Sequence, residues 1–166
     1  MLPLLPVKYY NHEKSNHSIM HRTRARGFVC SSSRLITYYK MNIEQVRNYT
    51  LSLNGVTEDQ PFGDDIITFR LEGKIFVCLW LGGGEHDMKE SSEPRLALKL
   101  SPERNEELRS QFSTVTPAWH WNKKHWSDLY YEQVDDALVQ EWIKESYQLV
   151  ASKLPKAIRQ KYIQMN

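Results

Sequence analysis

The chain has 166 residues, of which 40% are hydrophobic and 25% charged, and its formal net charge is +2 at pH 7. This length suits one domain with a proper core, and this composition is typical of an ordinary globular protein. No apolar run approaches the roughly 20 residues that a membrane span requires, so we expect no membrane-spanning helix and no membrane partner.

The charges are distributed unevenly along the chain. Residues 1–40 carry seven Lys or Arg and one Glu, a net charge of +6, whereas the other 126 residues carry 15 basic and 19 acidic side chains, a net charge of −4. An acidic body is not the broadly basic surface of a protein that binds nucleic acid by charge alone. Any such binding must therefore come from a local patch.

Residues 1–40 show no convincing hydrophobic periodicity. They open with an apolar run that two prolines interrupt and that no basic residue precedes, which makes a poor signal peptide. The sequence after Met41 begins like a native domain. We therefore expect residues 1–40 to be either upstream sequence read through to an earlier start codon or a disordered basic extension, and residues 41–166 to form the domain.

The first predicted elements are a helix and a β-hairpin. Asn42 and Gln45 have the spacing of a capping box, and apolar residues then fall on one face up to Leu53. Residues 66–71 and 75–81 have the apolar patterns of strands, and Glu72-Gly73-Lys74 between them indicates a tight turn.

Residues 82–92 follow this hairpin and indicate a mobile connection, since they begin with three glycines and continue with polar residues. Residues 95–100 alternate like a half-buried strand. Ser101 and Pro102 then start a helix that we expect to end near Phe112, because Ser is a good cap and Pro suits the first turn.

The last part of the chain predicts a short strand, Trp126 to Tyr131, and then the longest helix, capped by Asp135. One apolar face of this helix comprises Leu138, Val139, Trp142, Ile143, Ser146, Leu149 and Val150. Pro155 interrupts it, and residues 156–163 predict a basic helical piece. The element order predicts a compact two-layer α+β domain, with N- and C-terminal helices packed on an antiparallel sheet.

No catalytic or metal-binding constellation is evident. Cys78 lies in an apolar strand, where a buried thiol is the usual state, and we expect it and Cys30 to be reduced in a cytoplasmic protein. His86 stands between two acids, and His120 and His125 are five residues apart, a spacing that suits neither one helix face nor one strand face. The glycines at 82–84 lack the phosphate-loop pattern. We therefore expect a protein that is not an enzyme and has no metal and no cofactor.

Thr116 to Trp126 is the most informative segment, because it holds three of the five tryptophans, two of the six histidines and a lysine pair. Aromatic rings interleaved with cations can stack on bases and contact phosphates at once. The predicted nucleic-acid-binding residues are His120, Asn122, Lys123, Lys124 and His125. The predicted stacking or structural residues are Trp119, Trp121 and Trp126.

The same segment is also compatible with two roles that involve no nucleic acid. Its aromatic patch suits a protein-interaction or adaptor module. In a purely structural role, Asn122 would satisfy turn amides, and His125 and Trp126 would fix the start of the following strand. A small-molecule or enzymatic role near His120 ranks last, because the sequence offers no reaction for it.

Several short motifs, in order, resemble the MmcQ/YjbR family of small bacterial proteins over about residues 42–162. They are Pro61-Phe62-Gly63, Gly73-Lys74 with Phe76, Leu98-Lys99, His120-x-Asn122-Lys123-x-His125-Trp126, Ser146-Tyr147 and Leu154-Pro155. The resemblance implies a CyaY-like fold and a predicted DNA-binding function with a "double wing" of two β-hairpins. The residues of this sequence that match the family's site motif are His120, Asn122, Lys123, His125 and Trp126. The iron binding that a frataxin-like fold suggests is not expected here, because Glu44 is the only acid of the first helix.

Overall fold

A computed structural model describes residues 40–82 and 93–163 of the chain. The predictions for residues 1–39, for Cys30, for His86 with its acidic neighbours and for most of the 82–92 connection lie outside these described residues. None of the described helices is long and apolar enough to cross a membrane.

The centre of the fold is a six-stranded antiparallel sheet with the strand order β1-β2-β3-β4-β6-β5. Its strands are β1 (Val56–Asp59), β2 (Ile66–Leu71), β3 (Lys74–Trp80), β4 (Arg95–Lys99), β5 (Val115–Pro117) and β6 (Trp126–Leu129). The turn between β2 and β3 places Glu72 and Gly73 at positive φ, as a two-residue hairpin turn requires. The strands on either side of the 82–92 connection pair antiparallel, as a hairpin connection predicts.

The helices are α1 (Ile43–Ser52), α2 (Pro102–Gln111), α3 (Asp136–Ser152) and α4 (Lys156–Ile163), and a 3₁₀ turn covers Tyr131–Gln133. The predicted capping box is present, since Asn42 Oδ1 accepts from Gln45 N and Gln45 Oε1 accepts from Asn42 N, both at 2.9 Å. Ser101 and Asp135 cap α2 and α3 as predicted. The α+β class is therefore confirmed.

One face of the sheet, the inner face, packs against the helices. Its strand side chains and those of α3 form a single core, in which Phe69, Leu79, Leu98, Trp142 and Ile143 are at most 1% exposed. Five of the seven positions predicted for the apolar face of α3 are buried, and Leu138 and Leu149 are half-buried at its margin. Burial on this scale is the main stabilising contribution to such a fold.

The opposite face, the outer face, carries the alternate side chains of the same strands. They form a second, smaller cluster of Cys78, Ala97, Ala118 and Trp126, with Ile66, Ile75 and Trp121 packed against it. Because successive side chains of a strand point to opposite faces, a single sheet presents both clusters. A functional site on this fold can therefore use the outer face without disturbing the core.

The structure corrects the sequence prediction at several elements. It adds two strands, β1 and β5, for which no prediction was made. The strand predicted up to Tyr131 ends at Leu129, because the chain turns into the 3₁₀ turn there.

Candidate functional site

The predicted motif forms a loop, residues 118–125, that connects β5 to β6; we call it the aromatic loop. A turn at Asn122 closes it: the Asn122 carbonyl accepts from His125 N at 2.9 Å and Trp126 N at 3.0 Å, and Asn122 Oδ1 accepts from Lys124 N at 3.0 Å. An Asn side chain that accepts from a backbone amide two residues on is a common turn device. The structural role considered for Asn122 is therefore observed.

Helix α2 fixes the aromatic loop from the inner side. Arg109 Nη2 donates to the carbonyls of Lys123 and Trp126, each at 2.7 Å, and Arg109 Nε donates to Ser127 Oγ at 2.9 Å. Asn105 Nδ2 donates to the Lys124 carbonyl at 3.3 Å. The loop backbone is thus held in place by side chains of α2.

The three tryptophans of the motif have different environments. Trp126 is 6% exposed, and half-buried Trp121 stacks on it with ring centroids 4.5 Å apart and an interplanar angle of 24°. Each of these two rings therefore has one face covered by the other ring. Trp119 is 45% exposed, and Lys123 Nζ lies 5.8 Å from the centre of its ring. Of the three, Trp119 is the best placed to stack on a ligand.

The predicted polar residues are also placed differently from one another. His120, Lys123 and Lys124 are exposed, and His120 lies edge-to-face with Trp119 at 6.3 Å. His125 is half-buried. The carboxylate of Glu103, at the start of α2, has a lowered pKa because of hydrogen bonds to its own backbone and to Ser101, with smaller contributions from Lys124 and His125. The structure brings Trp119, His120 and Lys123 together and directs His125 toward α2.

Sequence reasoning missed a lysine cluster at the same end of the sheet. Lys99 pairs with Trp126 in the β4–β6 register, and its Nζ lies 5.6 Å from the centre of that ring. The pKa of Lys99 is lowered, first by burial and then by the positive charges of Lys153 and Lys74. Leu98-Lys99 and Gly73-Lys74 were both family motifs, which was the available signal. Among the C-terminal basic residues, Lys153 is the one whose charge acts on Lys99.

The outer face also holds a pocket of about 390 Å³ whose lining includes His120, the residue near which a small-molecule role was considered. Alternate residues of β3, β4 and β6 form its floor, and the aromatic loop and the segment before β2 form its rim. The lining residues are Phe62, Ile66, Cys78, Trp80, Arg95, Ala97, His120, Trp121 and Asp128. Phe62 lies edge-to-face with Trp121 at 5.8 Å, so the two rim segments contact each other.

A buried ion pair lies in the floor of this pocket. Arg95 and Asp128 have side chains 3% and 6% exposed, and Arg95 Nε lies 3.6 Å from Asp128 Oδ2. The same oxygen accepts from Trp119 N at 3.1 Å, and the Arg95 guanidinium lies 5.0 Å from the centre of the Trp80 ring. Buried charges of this kind are tolerated because they are paired and hydrogen-bonded. Asp128 thereby joins the pocket floor to the aromatic loop.

Cys78 is a neutral part of the pocket floor. Burial raises the pKa of its thiol to about 12, and its Sγ lies 3.9 Å from Thr68 Oγ1. A thiol with so high a pKa carries almost no nucleophilic thiolate at neutral pH. Among residues 40–82 and 93–163, no three His, Cys, Asp or Glu side chains are grouped closely enough to hold a metal ion.

Comparison with known proteins identifies relatives of the whole domain. The YjbR family model matches residues 51–149. The chain is 37% identical to the uncharacterised Escherichia coli K12 protein YjbR over 126 residues, which is 75% of this chain and 100% of YjbR. It is 30% identical to the uncharacterised protein YbdF of E. coli O157:H7 over 118 residues, which is 68% of this chain and 87% of YbdF.

Solved structures agree with this assignment. The Deinococcus radiodurans protein DR2400, described as a DUF419 domain, is similar with a TM-score of 0.60 and 29% identity, over 72% of this chain and 86% of that one. A Pseudomonas syringae protein has the same fold, with a TM-score of 0.56 and 24% identity, over 66% of this chain and 98% of that one. By sequence and by fold, the chain belongs to the YjbR family.

Proposed function

We propose that this protein is a non-enzymatic, cytoplasmic module that binds single-stranded DNA through its aromatic loop. The observation that carries the proposal is the exposed Trp119 ring with Lys123 Nζ 5.8 Å from its centre. Every base has a flat face that can stack on such a ring, and an adjacent ammonium can contact the neighbouring phosphate. A single strand suits this site better than a duplex because its bases are accessible for stacking.

The charge distribution supports the same proposal. The described cations at this end of the sheet include Lys123 and Lys124 of the loop and the cluster of Lys74, Lys99 and Lys153. Repulsion within the lysine cluster is relieved when a phosphate lies beside it, because an anion favours the charged form of each lysine. A strand that stacks on Trp119 therefore has cations available for its backbone, although the body as a whole is acidic.

The test is a titration of the full chain with a fluorescent oligothymidylate at two salt concentrations. Neutralising two phosphates of a single strand contributes about 1.4 to the slope of log affinity against log salt. We expect Lys123→Ala/Lys124→Ala to lower affinity and to reduce the slope by about this amount. We expect Trp119→Ala to lower affinity while leaving the slope unchanged, because stacking releases no counterions.

The matched control is Lys144→Ala/Lys156→Ala, which removes the same charge from exposed positions on α3 and α4. Residues 1–40 are present in every variant, so their charge contributes equally. If the control pair and the loop pair lower affinity equally, binding depends on net charge and the proposal is wrong. Binding unaffected by Trp119→Ala would also contradict it.

A protein-interaction role is the second candidate, because Phe62 and Trp119 are both large hydrophobic side chains with about half of their surface exposed, at 49% and 45%. Exposed aromatic rings are frequent anchors of protein interfaces. The two roles differ in salt dependence. Two results together would favour this second role. The first is a protein partner that binds the wild type but neither Phe62→Ala nor Trp119→Ala, and the second is no oligonucleotide binding at low salt.

A further inference from the structure

The charge of the pocket on the outer face is balanced within the pocket itself. Its lining contains one guanidinium, Arg95, and one carboxylate, Asp128, and the two are paired. A free anion in the pocket would meet the carboxylate, and a free cation would meet the guanidinium. Because this pair is buried, either ligand charge would be placed in a medium that screens it poorly. The electrostatics therefore favour a ligand with no net charge in the pocket.

The walls of the pocket favour a flat ring. Phe62, Trp80 and Trp121 contribute aromatic surface, and Ile66 and Ala97 add apolar surface. Aromatic side chains attract other rings in offset-stacked or edge-to-face geometry, beyond the burial of area alone. A volume of about 390 Å³ lies at the small end of the range of ligand sites, so it suits one ring system with a small substituent.

The polar groups of the pocket favour a ring with both donors and acceptors. Asp128 is an acceptor and Arg95 a donor on the pocket floor. The indole Nε1–H of Trp80 is buried, and among the described residues it has no hydrogen-bond partner, although Trp80 itself is only 6% exposed. This donor is enclosed by protein, so the polar groups offered to a ligand are those of the lining side chains Arg95, Asp128 and His120.

We propose that this pocket binds one neutral, planar heteroaromatic ring with hydrogen-bond donors and acceptors on its edge, which is the chemistry of a nucleobase. The ring can belong to a free nucleoside or to a base turned out of a strand. The inference goes beyond strand binding by the aromatic loop, because neither the Trp119 ring nor the Lys123 side chain lines the pocket. The loop contributes His120 and Trp121 to the pocket lining, and its Trp119 N–H bonds to Asp128 on the floor.

The experiment is calorimetric titration of the full chain with adenosine, guanosine, cytidine and uridine, and with benzoate as a charged ring of similar size. We expect one saturable site for at least one nucleoside and weaker binding of benzoate. Ala97→Leu places a larger side chain on the pocket floor, and we expect it to weaken nucleoside binding by about tenfold or more. The control Lys144→Ala/Lys156→Ala lies on α3 and α4, outside the pocket lining, and is expected to change nucleoside affinity by less than about twofold.

A second variant covers the case in which Ala97→Leu disturbs the fold. Phe62→Ala removes a wall at the rim, where the side chain is 49% exposed, so the core is untouched. Circular dichroism establishes that each variant is folded. We expect Phe62→Ala to weaken nucleoside binding by about three- to tenfold, since one aromatic contact is worth about 0.5–1.5 kcal/mol beyond its buried area.

The outcomes separate this proposal from strand binding by the loop. Nucleoside binding that survives Lys123→Ala/Lys124→Ala but not Ala97→Leu supports the pocket, whatever the oligonucleotide titration gives. If free nucleosides do not bind but Ala97→Leu weakens oligonucleotide binding about tenfold, the ring comes from a strand and the proposal also stands. Benzoate binding more tightly than every nucleoside, or Ala97→Leu without effect on either ligand, overturns it.

Discussion

The residues of the aromatic loop show how one motif combines structural and exposed roles. Asn122 and Trp126, both carried over from the family motif, hold the turn and the start of β6. Lys123 and Trp119, by contrast, project outward with their side chains next to each other. Sequence could predict that rings and cations lie together here. It could not assign which ring is buried, because that depends on the loop folding back over the outer face.

Asn122 provides a prediction at this scale. Asn122→Ala removes the acceptor for Lys124 N, and we expect a loss of about 1 kcal/mol in the free energy of unfolding, the usual net value of one hydrogen bond. Asn122→Asp keeps an acceptor oxygen, and we expect its free energy of unfolding to lie within about 0.5 kcal/mol of the wild-type value. Urea denaturation measures both. Equal stability of the Ala and Asp variants would show that the turn does not depend on this bond.

Among the elements, the long helices and the central strands were predicted and the two edge strands were not. The reason is physical, because edge strands carry charges, are short or contain proline, which discourages pairing with other chains. The first edge strand has the sequence Val-Thr-Glu-Asp and the other ends at Pro117, so each sequence has the composition of a loop. The residues of the pocket floor were not predicted, for a related reason. That floor combines β3, β4 and β6, and the neighbouring position of β4 and β6 does not follow from their order in the chain.

Ser146 connects the elements on the inner face, which gives the Ser146-Tyr147 motif a physical reason. Its Oγ donates to the carbonyl of Phe76 at 2.6 Å and accepts from Lys99 N at 3.1 Å. Phe76 is the extra residue of a bulge, since Phe69 pairs with Val77 and the next residue pairs with Ile75. The buried hydroxyl thus satisfies backbone groups of two strands from one helix.

We therefore predict that Ser146→Ala lowers the free energy of unfolding by about 1–3 kcal/mol, because it leaves buried backbone groups without partners. The matched control is Ser152→Ala near the end of α3, where the exposed hydroxyl bonds only to the carbonyl of Leu149 in its own helix. We expect a change within about 0.5 kcal/mol for the control. Thermal and urea unfolding measure both variants, and similar losses in the two would contradict the bridging role of Ser146.

At the scale of the whole molecule, positive and negative charges are unevenly distributed along the sequence. The +6 of residues 1–40 and the −4 of the remainder nearly cancel, so net charge gives no indication of the lysines at one end of the sheet. Lysines and arginines in either part of the sequence can attract a strand. Counterion release depends on the number of phosphates neutralised, so such contributions to the salt slope add.

This additivity can be tested with a double-mutant cycle on the full chain. Arg22→Gln/Arg24→Gln/Arg26→Gln removes three N-terminal charges, and Trp119→Ala removes the exposed ring. We expect the triple substitution to lower oligothymidylate affinity and salt slope by the same amounts with or without Trp119, since stacking releases no counterions and adds to the charge contribution. A coupling above about 1 kcal/mol in the cycle would instead mean that the N-terminal residues and the aromatic loop bind the strand as one site, and the loop could no longer be treated as an independent binding surface.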